Sequence, residues 1–96
     1  MRRAAKVDDN QTSVVWALRK SGCNVLIISA LGDGCPDLLV NRAGQIYMLE
    51  LKDGDKPPSR RKLTPLQERF HADWPVYTVT NEIEALEAVG LIGYGE

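Results

Sequence analysis

Residues Asp37–Lys52 read DLLVNRAGQIYMLELK, two apolar segments that meet at Ala43-Gly44. Apolar segments on either side of a glycine-containing turn are typical of a β-hairpin. If the hairpin closes symmetrically about Ala43-Gly44, through a loop of two or four residues, Asp37 faces Glu50 across it. Directly opposed residues have Cβ atoms about 5 Å apart and point to the same face of the sheet. The hairpin therefore predicts two adjacent carboxylates.

A proton or a cation has to lie between these carboxylates, because like charges at that distance repel each other. Lys52 follows Glu50 by two residues and shares its face, whereas Leu49 and Leu51 point into the core. Mg²⁺ binds carboxylate oxygens together with waters and phosphate oxygens, and a lysine beside it orients or helps to deprotonate the attacking water. The cluster predicts metal-dependent phosphodiester hydrolysis. From these residues alone, a salt-bridged hairpin is the alternative.

The segments before and within the hairpin predict one helix and three strands. Residues 8–21 have a helical apolar pattern, and Asp8 is a candidate N-cap for that helix. Residues 24–29 are short, apolar and β-branched, which indicates a buried strand. The hairpin supplies the second and third strands, over residues 37–41 and 46–52.

The segments after the hairpin predict a helix, a strand and a last helix. The first helix begins at Thr64-Pro65-Leu66-Gln67, with Thr64 as N-cap and Gln67 completing a capping box. Apolar side chains four residues apart predict that its buried stripe consists of Leu66, Phe70 and Trp74. A fourth strand at Val76–Val79 and a helix capped by Asn81 follow.

The predicted order is therefore αβββαβα, an α/β fold with a mixed sheet flanked by helices. We expect one domain over residues 1–96, because a chain of this length buries a single modest core. The composition, 44% hydrophobic and 26% charged, is ordinary for a globular protein, and no apolar run is long enough to cross a bilayer. The basic N-terminus leads into polar residues instead of a secretory signal, so we expect a cytoplasmic protein.

The few cysteines and histidines argue against thiol, zinc and triad chemistry. Cys23 and Cys35 lack metal-ligand spacing, and we expect them to be buried or idle thiols. His71 is the single histidine of the sequence, which leaves no His/Cys zinc set. We expect it to be half-exposed beside Phe70.

The basic residues are unevenly distributed, although the formal net charge is -1. Of the 12 basic residues, seven lie in two short segments and could bind phosphate: Arg2, Arg3, Lys6, Lys56, Arg60, Arg61 and Lys62. Residues 54–62 also carry two prolines and almost nothing apolar, which predicts an exposed loop that faces a partner. A solvated tail and loop are the alternative for these charges.

Three sequence blocks, in order, resemble the virus-type replication-repair nuclease (VRR-NUC) domain of the PD-(D/E)XK nuclease superfamily. They are Gly34–Val40, which contains Pro36-Asp37, then Leu49–Gly54, which contains Glu50-Leu51-Lys52, and finally Lys62–Pro65. The resemblance covers nearly the whole chain, and the order αβββαβ(α) matches the restriction-endonuclease-like core of that superfamily.

The resemblance implies a Mg²⁺- or Mn²⁺-dependent DNA endonuclease. It implies that Asp37 and Glu50 bind the metal with the backbone carbonyl of Leu51, and that Lys52 is the catalytic lysine. Each of these positions holds the residue type of the family's motif.

The resemblance also implies supporting residues from the two helices near the site. Asp8, Asp9 and Gln11 are candidates from the first helix, although Asp8 serves equally well as an N-cap with Gln11 at N3. Gln67 either supports the site or completes only the capping box.

In its biological setting, the resemblance implies a phage-encoded homodimer that acts on branched DNA, such as a Holliday junction, during replication, recombination, repair or packaging. An alternative of another class is a catalytically silent nucleic-acid-binding module on the same fold. A further alternative is a structural subunit that oligomerises through its apolar surface.

Overall fold

The computed structural model describes residues 9–55 and 62–92, which form a four-stranded sheet with three helices. The helices are α1 (Asp9–Lys20), α2 (Pro65–Asp73) and α3 (Glu82–Ala88), and the strands are β1 (Asn24–Ile27), β2 (Leu38–Arg42), β3 (Gln45–Leu51) and β4 (Val76–Val79). A short 3-10 helix, Ser29–Leu31, follows β1. The predicted order αβββαβα is confirmed. None of the helices in these two ranges is long and apolar enough to cross a bilayer.

The β2–β3 hairpin has the register that symmetrical closure predicts, with Leu39 opposite Met48 and Leu38 opposite Leu49. Ala43 and Gly44 both have positive φ, 52° and 88°, as a two-residue type I′ turn requires. The loop therefore has two residues. If this register is continued by one residue beyond the Leu38–Leu49 pair, Asp37 lies opposite Glu50.

The sheet is mixed, as predicted. The strands have the spatial order β1-β2-β3-β4, the first two pairings are antiparallel, and β4 pairs with β3 in parallel. A parallel neighbour requires a crossover connection, which here contains α2. This crossover carries the chain over the sheet face that holds Glu50.

The core lies on the opposite face of the sheet. Side chains of the sheet, α1, α3 and the segments flanking them form one buried cluster: Val14, Val15, Leu18, Cys23, Val25, Leu38, Val40, Leu49, Leu51, Val79, Ala85 and Val89. Leu49 and Leu51 belong to this cluster, as the alternation of the strand predicts, so Glu50 between them points to the other face. The burial of Cys23 also confirms its expected role as an apolar core residue.

The expectation that the first strand is buried and runs over residues 24–29 is wrong. β1 ends at Ile27 and lies at the edge of the sheet, and of its four side chains only that of Val25 is buried. Leu26 and Ile27 are each more than half exposed. An edge strand has a neighbour on one side alone, so its apolar composition does not ensure burial.

The predicted buried stripe of α2 is also wrong. The helix begins as expected, with Thr64 as N-cap, but it buries no residue, and Leu66 and Trp74 are about half exposed. Trp74 stacks on Phe70 instead, with ring centroids 5.3 Å apart. The periodicity correctly predicts a helix. That helix, however, lies over the charged side chains of Glu50 and Lys52, which Gln67 contacts, and not over apolar residues of the core.

Replacing a core residue of β3 should destabilise the fold strongly. Leu49 is fully buried, so Leu49→Ala should lower the free energy of unfolding by about 3 kcal/mol through lost transfer energy and the cavity left behind. Ile46 lies on the same strand and is 60% exposed, so Ile46→Ala should cost less than about 1 kcal/mol. Urea unfolding followed by circular dichroism measures both. Equal losses in the two variants would contradict this location of the core.

Candidate active site

Asp37 lies where the chain enters β2, directly after the fully buried Pro36. Its Oδ2 accepts a hydrogen bond from the backbone N–H of Leu51, at 2.8 Å, and its backbone carbonyl accepts from the N–H of Ile28, also at 2.8 Å. These contacts connect Asp37 to β3 and to the end of β1. The carboxylate is therefore held in place by backbone of the sheet.

Glu50 is the one charged residue among those that the structure describes as buried, with 3% of its surface exposed. Its Oε2 accepts a hydrogen bond from Gln67 Nε2, at 2.9 Å, and lies 3.7 Å from Lys52 Nζ. Its Oε1 is also buried and has no hydrogen-bond partner within residues 9–55 and 62–92. A buried carboxylate oxygen without a donor is energetically costly, so this atom calls for a proton or a cation.

The surroundings of Glu50 raise its pKa to about 7. Loss of solvent is the main cause, and the negative charge of Asp37 adds to it, while the ammonium of Lys52 acts in the opposite direction. The two carboxyl groups share a hydrogen bond when one of them is protonated, which raises the pKa further. The geometry thus confirms that Asp37 and Glu50 meet, and it makes a second negative charge there unfavourable.

Lys52 follows β3 and directs its ammonium toward the same cluster. Lys52 Nζ donates to Gln67 Oε1, at 3.1 Å, in addition to its ion pair with Glu50, and 15% of the side chain is exposed. Its backbone is fixed too, because its N–H donates to the carbonyl of Val79 in β4, at 2.9 Å. Asp37, Glu50 and Lys52 are therefore brought together on one face, as the hairpin predicted.

Gln67 completes the capping box and also contacts two residues of the candidate site. Its Oε1 accepts from the backbone N–H of Thr64, at 2.9 Å, and its own N–H donates to Thr64 Oγ1, at 3.2 Å, which completes the capping box. The same amide group contacts Lys52 and Glu50 through its oxygen and its nitrogen. The cap therefore fixes the rotamer that holds the two charged side chains.

Gly34 allows α2 to come this close to the sheet. A Cβ at position 34 would collide with the backbone of Leu66 and Gln67, and the φ of +79° is itself unfavourable for other residues. The backbone of Gly34 therefore lies directly against α2, and this contact supports the position of Gln67.

Asn10, which the sequence did not predict as a site residue, contacts the backbone at the end of the candidate site. Its Nδ2 donates to the backbone carbonyls of Lys52, at 3.2 Å, and Thr80, at 3.1 Å, and so joins α1 to the ends of β3 and β4. Its Oδ1 is buried without a hydrogen-bond partner in the described part of the chain. Asn10 lies between Asp9 and Gln11, the two residues of α1 that the family resemblance suggests as candidates.

The other predicted residues are placed as follows. Gln11 lines a groove beside α1 together with Trp16 and Ile27. Among the described residues, no hydrogen bond joins Gln11 to the carboxylate cluster, which consists of Asp37 and Glu50 with Lys52 beside them. Lys62 is exposed. The remaining basic residues and the helix-cap candidate lie outside the described residues: Arg2, Arg3, Lys6, Asp8, Lys56, Arg60 and Arg61. The side chain of Asp9 is also outside that description.

His71 and Cys35 border the cluster without a hydrogen bond to it. His71 is half-buried, and burial together with the charge of Lys52 lowers its pKa, which favours the neutral imidazole. Cys35 is partly buried, and burial followed by the charges of Glu50 and Asp37 raises the pKa of its thiol. The shift at Cys35 disfavours the nucleophilic thiolate, and the shift at His71 disfavours the charged imidazolium.

The two carboxylates suit a hard divalent cation, for which oxygen ligands are preferred. Asp37 and Glu50 are adjacent, and Glu50 Oε1 is buried without a donor. Within residues 9–55 and 62–92 no group of three or more His, Cys, Asp or Glu side chains could hold a metal. A cation here would therefore need further oxygen ligands from backbone, water or substrate, as Mg²⁺ commonly has.

Comparison with solved structures finds a chain titled "VRR_NUC domain", with a TM-score of 0.59 and 26% sequence identity. The alignment covers 82% of this chain and 88% of the other one. No protein-family model matches the sequence, and no curated protein matches it. The similarity supports the VRR-NUC domain and its restriction-endonuclease-like fold, and with them a nuclease domain of the PD-(D/E)XK type.

Neutralising Glu50 should stabilise the metal-free protein at alkaline pH. The folded state, with a pKa of about 7, holds the proton more tightly than the unfolded state does, so stability falls as pH rises from about 4.5 to 7. Glu50→Gln removes this loss and should gain up to about 3 kcal/mol at pH 8, but little at pH 5. Urea unfolding in EDTA at both pH values measures the difference.

The matched control is Glu68→Gln, because Glu68 is exposed on α2. This variant should show no comparable dependence of its stability difference on pH. A Glu50→Gln protein that is less stable than the parent at pH 8 would contradict an unfavourable charge at position 50.

Proposed function

We propose that this protein is a metal-dependent DNA endonuclease that hydrolyses phosphodiester bonds. The observation that carries the proposal is the pair of carboxylates, Asp37 and Glu50, on one sheet face with the ammonium of Lys52 beside them. A fold held together by its core does not need this arrangement, which costs free energy at position 50. The free-energy cost of this arrangement is explained if a bound cation and a phosphate supply the interactions that the carboxylates and the ammonium lack.

In this proposal Mg²⁺ or Mn²⁺ is held by Asp37, Glu50 and the backbone carbonyl of Leu51. The unpartnered Glu50 Oε1 supports the ligand set. The orientation of Leu51 supports it as well, because its N–H donates to Asp37, and the N–H and C=O of one strand residue point to the same side. When bound, the cation lowers the pKa of a water and offsets charge on the phosphate.

The protein's own side chains would divide the remaining work. Lys52 is positioned to orient the attacking water and to donate to the phosphate as its negative charge increases. Gln67 acts as a positioning residue, since its amide holds Lys52 and Glu50 at fixed distances from each other. Asp37 keeps its orientation through the Leu51 N–H. Asn10 fixes the backbone of Lys52 from the other side.

DNA is the proposed substrate, with branched forms such as Holliday junctions preferred, and the basic residues supply phosphate contacts. Lys62 is exposed three residues before the first residue of α2, close in sequence to Gln67. Arg2, Arg3, Lys6, Lys56, Arg60 and Arg61 are proposed as further contacts from the sequence alone. A cytoplasmic role in phage DNA replication, recombination or repair follows from the family resemblance.

Cleavage assays with purified protein test the function. Labelled branched and linear DNA should be cut in Mg²⁺ or Mn²⁺ but not in EDTA, with branched DNA cut faster. Asp37→Asn and Lys52→Ala should each lower the rate about a hundredfold or more, because both act on the reacting groups. Asp73→Asn is a suitable control, because Asp73 is exposed at the end of α2, and it should cut like the parent.

Two results would overturn the proposal. Cleavage that persists in Asp37→Asn and Lys52→Ala would assign the activity to another site or to a contaminant. Salt-sensitive DNA binding without metal-dependent cleavage would instead identify a catalytically silent binding module. Absence of both DNA binding and any effect of Mg²⁺ on the melting temperature would favour a structural subunit.

We also propose that the protein is a homodimer, which would provide two sites for two DNA strands. An apolar row across all four strands supports this, because Leu26 pairs with Leu39, Leu39 with Met48 and Met48 with Val76. The row lies on the same face as the candidate site, and Leu26 is more than half exposed. A second copy could bury this row.

Light scattering on a size-exclusion column measures the oligomeric state. The parent should have the mass of a dimer, and Leu26→Glu should shift it to a monomer, because a charge would have to be buried at the interface. Ile83→Glu is the control, since Ile83 is about as exposed but lies on α3, and it should remain a dimer. A monomeric parent at micromolar concentration would contradict the proposal.

A further inference from the structure

A groove of ≈ 550 Å³ runs along the outer side of α1, next to the edge strand β1. We call it the α1 groove, and the residues that matter in it are Gln11, Trp16, Arg19, Lys20 and Ile27. From Gln11 to Lys20 the helix rises about 14 Å. The carboxylate cluster lies on the other face of the sheet and does not line this groove.

The charge of the α1 groove is positive. Arg19 and Lys20 line it, and none of its lining residues in the described part of the chain is acidic. Arg19 Nη2 donates to the carbonyl of Val25, at 2.9 Å, which covers part of the outer edge of β1 and fixes the guanidinium. A guanidinium has five N–H donors, so the bond to Val25 leaves others for an anionic ligand.

Trp16 gives the groove an aromatic surface. The residue is 62% exposed although Lys20 Nζ lies 4.6 Å from its ring centroid. Trp16 thus combines a large exposed apolar surface with a cation beside it. An indole and basic groups in one groove are the features with which proteins bind single strands, by stacking a base and pairing with its phosphate.

The groove also begins near the candidate site. Ile27 lines it and pairs across the sheet with Leu38, the residue that follows Asp37. The next residue, Ile28, donates its N–H to the carbonyl of Asp37, at 2.8 Å. A strand leaving the carboxylate cluster around the β1 edge would reach Ile27 first and the basic residues afterwards.

We propose that the α1 groove binds a single-stranded segment of DNA, with one base stacked on Trp16 and the adjoining phosphates paired with Arg19 and Lys20. This inference rests on the proposed nuclease function for its biological meaning, because it assigns single-stranded flanks to the substrate. The binding itself requires neither a metal ion nor cleavage. Lys20 would leave the indole face for the phosphate, so that the base replaces the ammonium.

Tryptophan fluorescence tests the stacking directly, because the sequence has two tryptophans, Trp16 and Trp74. Trp74→Phe leaves Trp16 as the reporter, and an oligothymidylate of about 15 nucleotides in EDTA should quench its emission. Trp16→Phe leaves Trp74, which is 52% exposed and serves as the matched control. Its emission should change little.

Fluorescence anisotropy with the same labelled oligothymidylate measures affinity. Trp16→Ala should raise the Kd about tenfold, which is the loss of one stacked base, and Trp74→Ala should raise it less than about twofold. Lys20→Ala should lower the slope of log Kd against log salt by about 1, which corresponds to one fewer counterion released from the DNA. Unchanged melting temperatures verify that these surface variants remain folded.

Each alternative has a distinct outcome. Quenching of Trp16 by duplex DNA as strong as by the single strand would overturn the assignment to single strands. Trp16 emission that depends on protein concentration without DNA, with a dimer broken by Trp16→Ala, would identify an interface between copies. Metal-dependent cleavage with no effect of Trp16→Ala on binding would contradict DNA binding in the α1 groove and support the nuclease function. Quenching of Trp16 without any cleavage would support binding in the groove and contradict the nuclease function.

Discussion

The register of the β2–β3 hairpin is the constraint on which the site depends. A two-residue turn at Ala43 and Gly44 fixes the strands so that Asp37 and Glu50 are opposite each other. Glu50 lies between Leu49 and Leu51, and the core holds these two leucines firmly. A shift of one residue would exchange the faces of all three side chains and expose the leucines. The apolar core therefore maintains two acidic groups at a separation that they would not adopt in solution.

The unfavourable charge that results is managed by polar contacts from outside the hairpin. The amide of Gln67 forms hydrogen bonds with both Glu50 and Lys52, and its backbone and side chain are themselves held by Thr64. Asn10 secures the backbone of Lys52 from α1. Sites that bind a cation commonly retain such costly arrangements, because the ligand supplies the missing interaction. The stability lost at Glu50 and the chemistry proposed for it have the same physical origin.

The parts of the site that sequence could predict are those with local determinants. Alternation places Glu50 and Lys52 on one face, and the Ala43-Gly44 turn sets the pairing, so both followed from neighbouring residues. Asn10 was missed because its partners, Lys52 and Thr80, are 42 and 70 residues away in the chain. The exposure of Leu66 and Trp74 was missed for a related reason, since periodicity defines a helical face without showing what lies opposite.

Helix α2 contributes no buried side chain, and it contacts the sheet through the amide of Gln67 and its backbone next to Gly34. Little apolar area would be exposed if this one element detached, so its local opening costs much less free energy than unfolding of the whole domain. Opening would hydrate Glu50 and remove the amide that contacts both Glu50 and Lys52. The ionisation of the carboxyl pair and the docking of α2 are consequently two sides of one equilibrium, in which a change in either shifts the other.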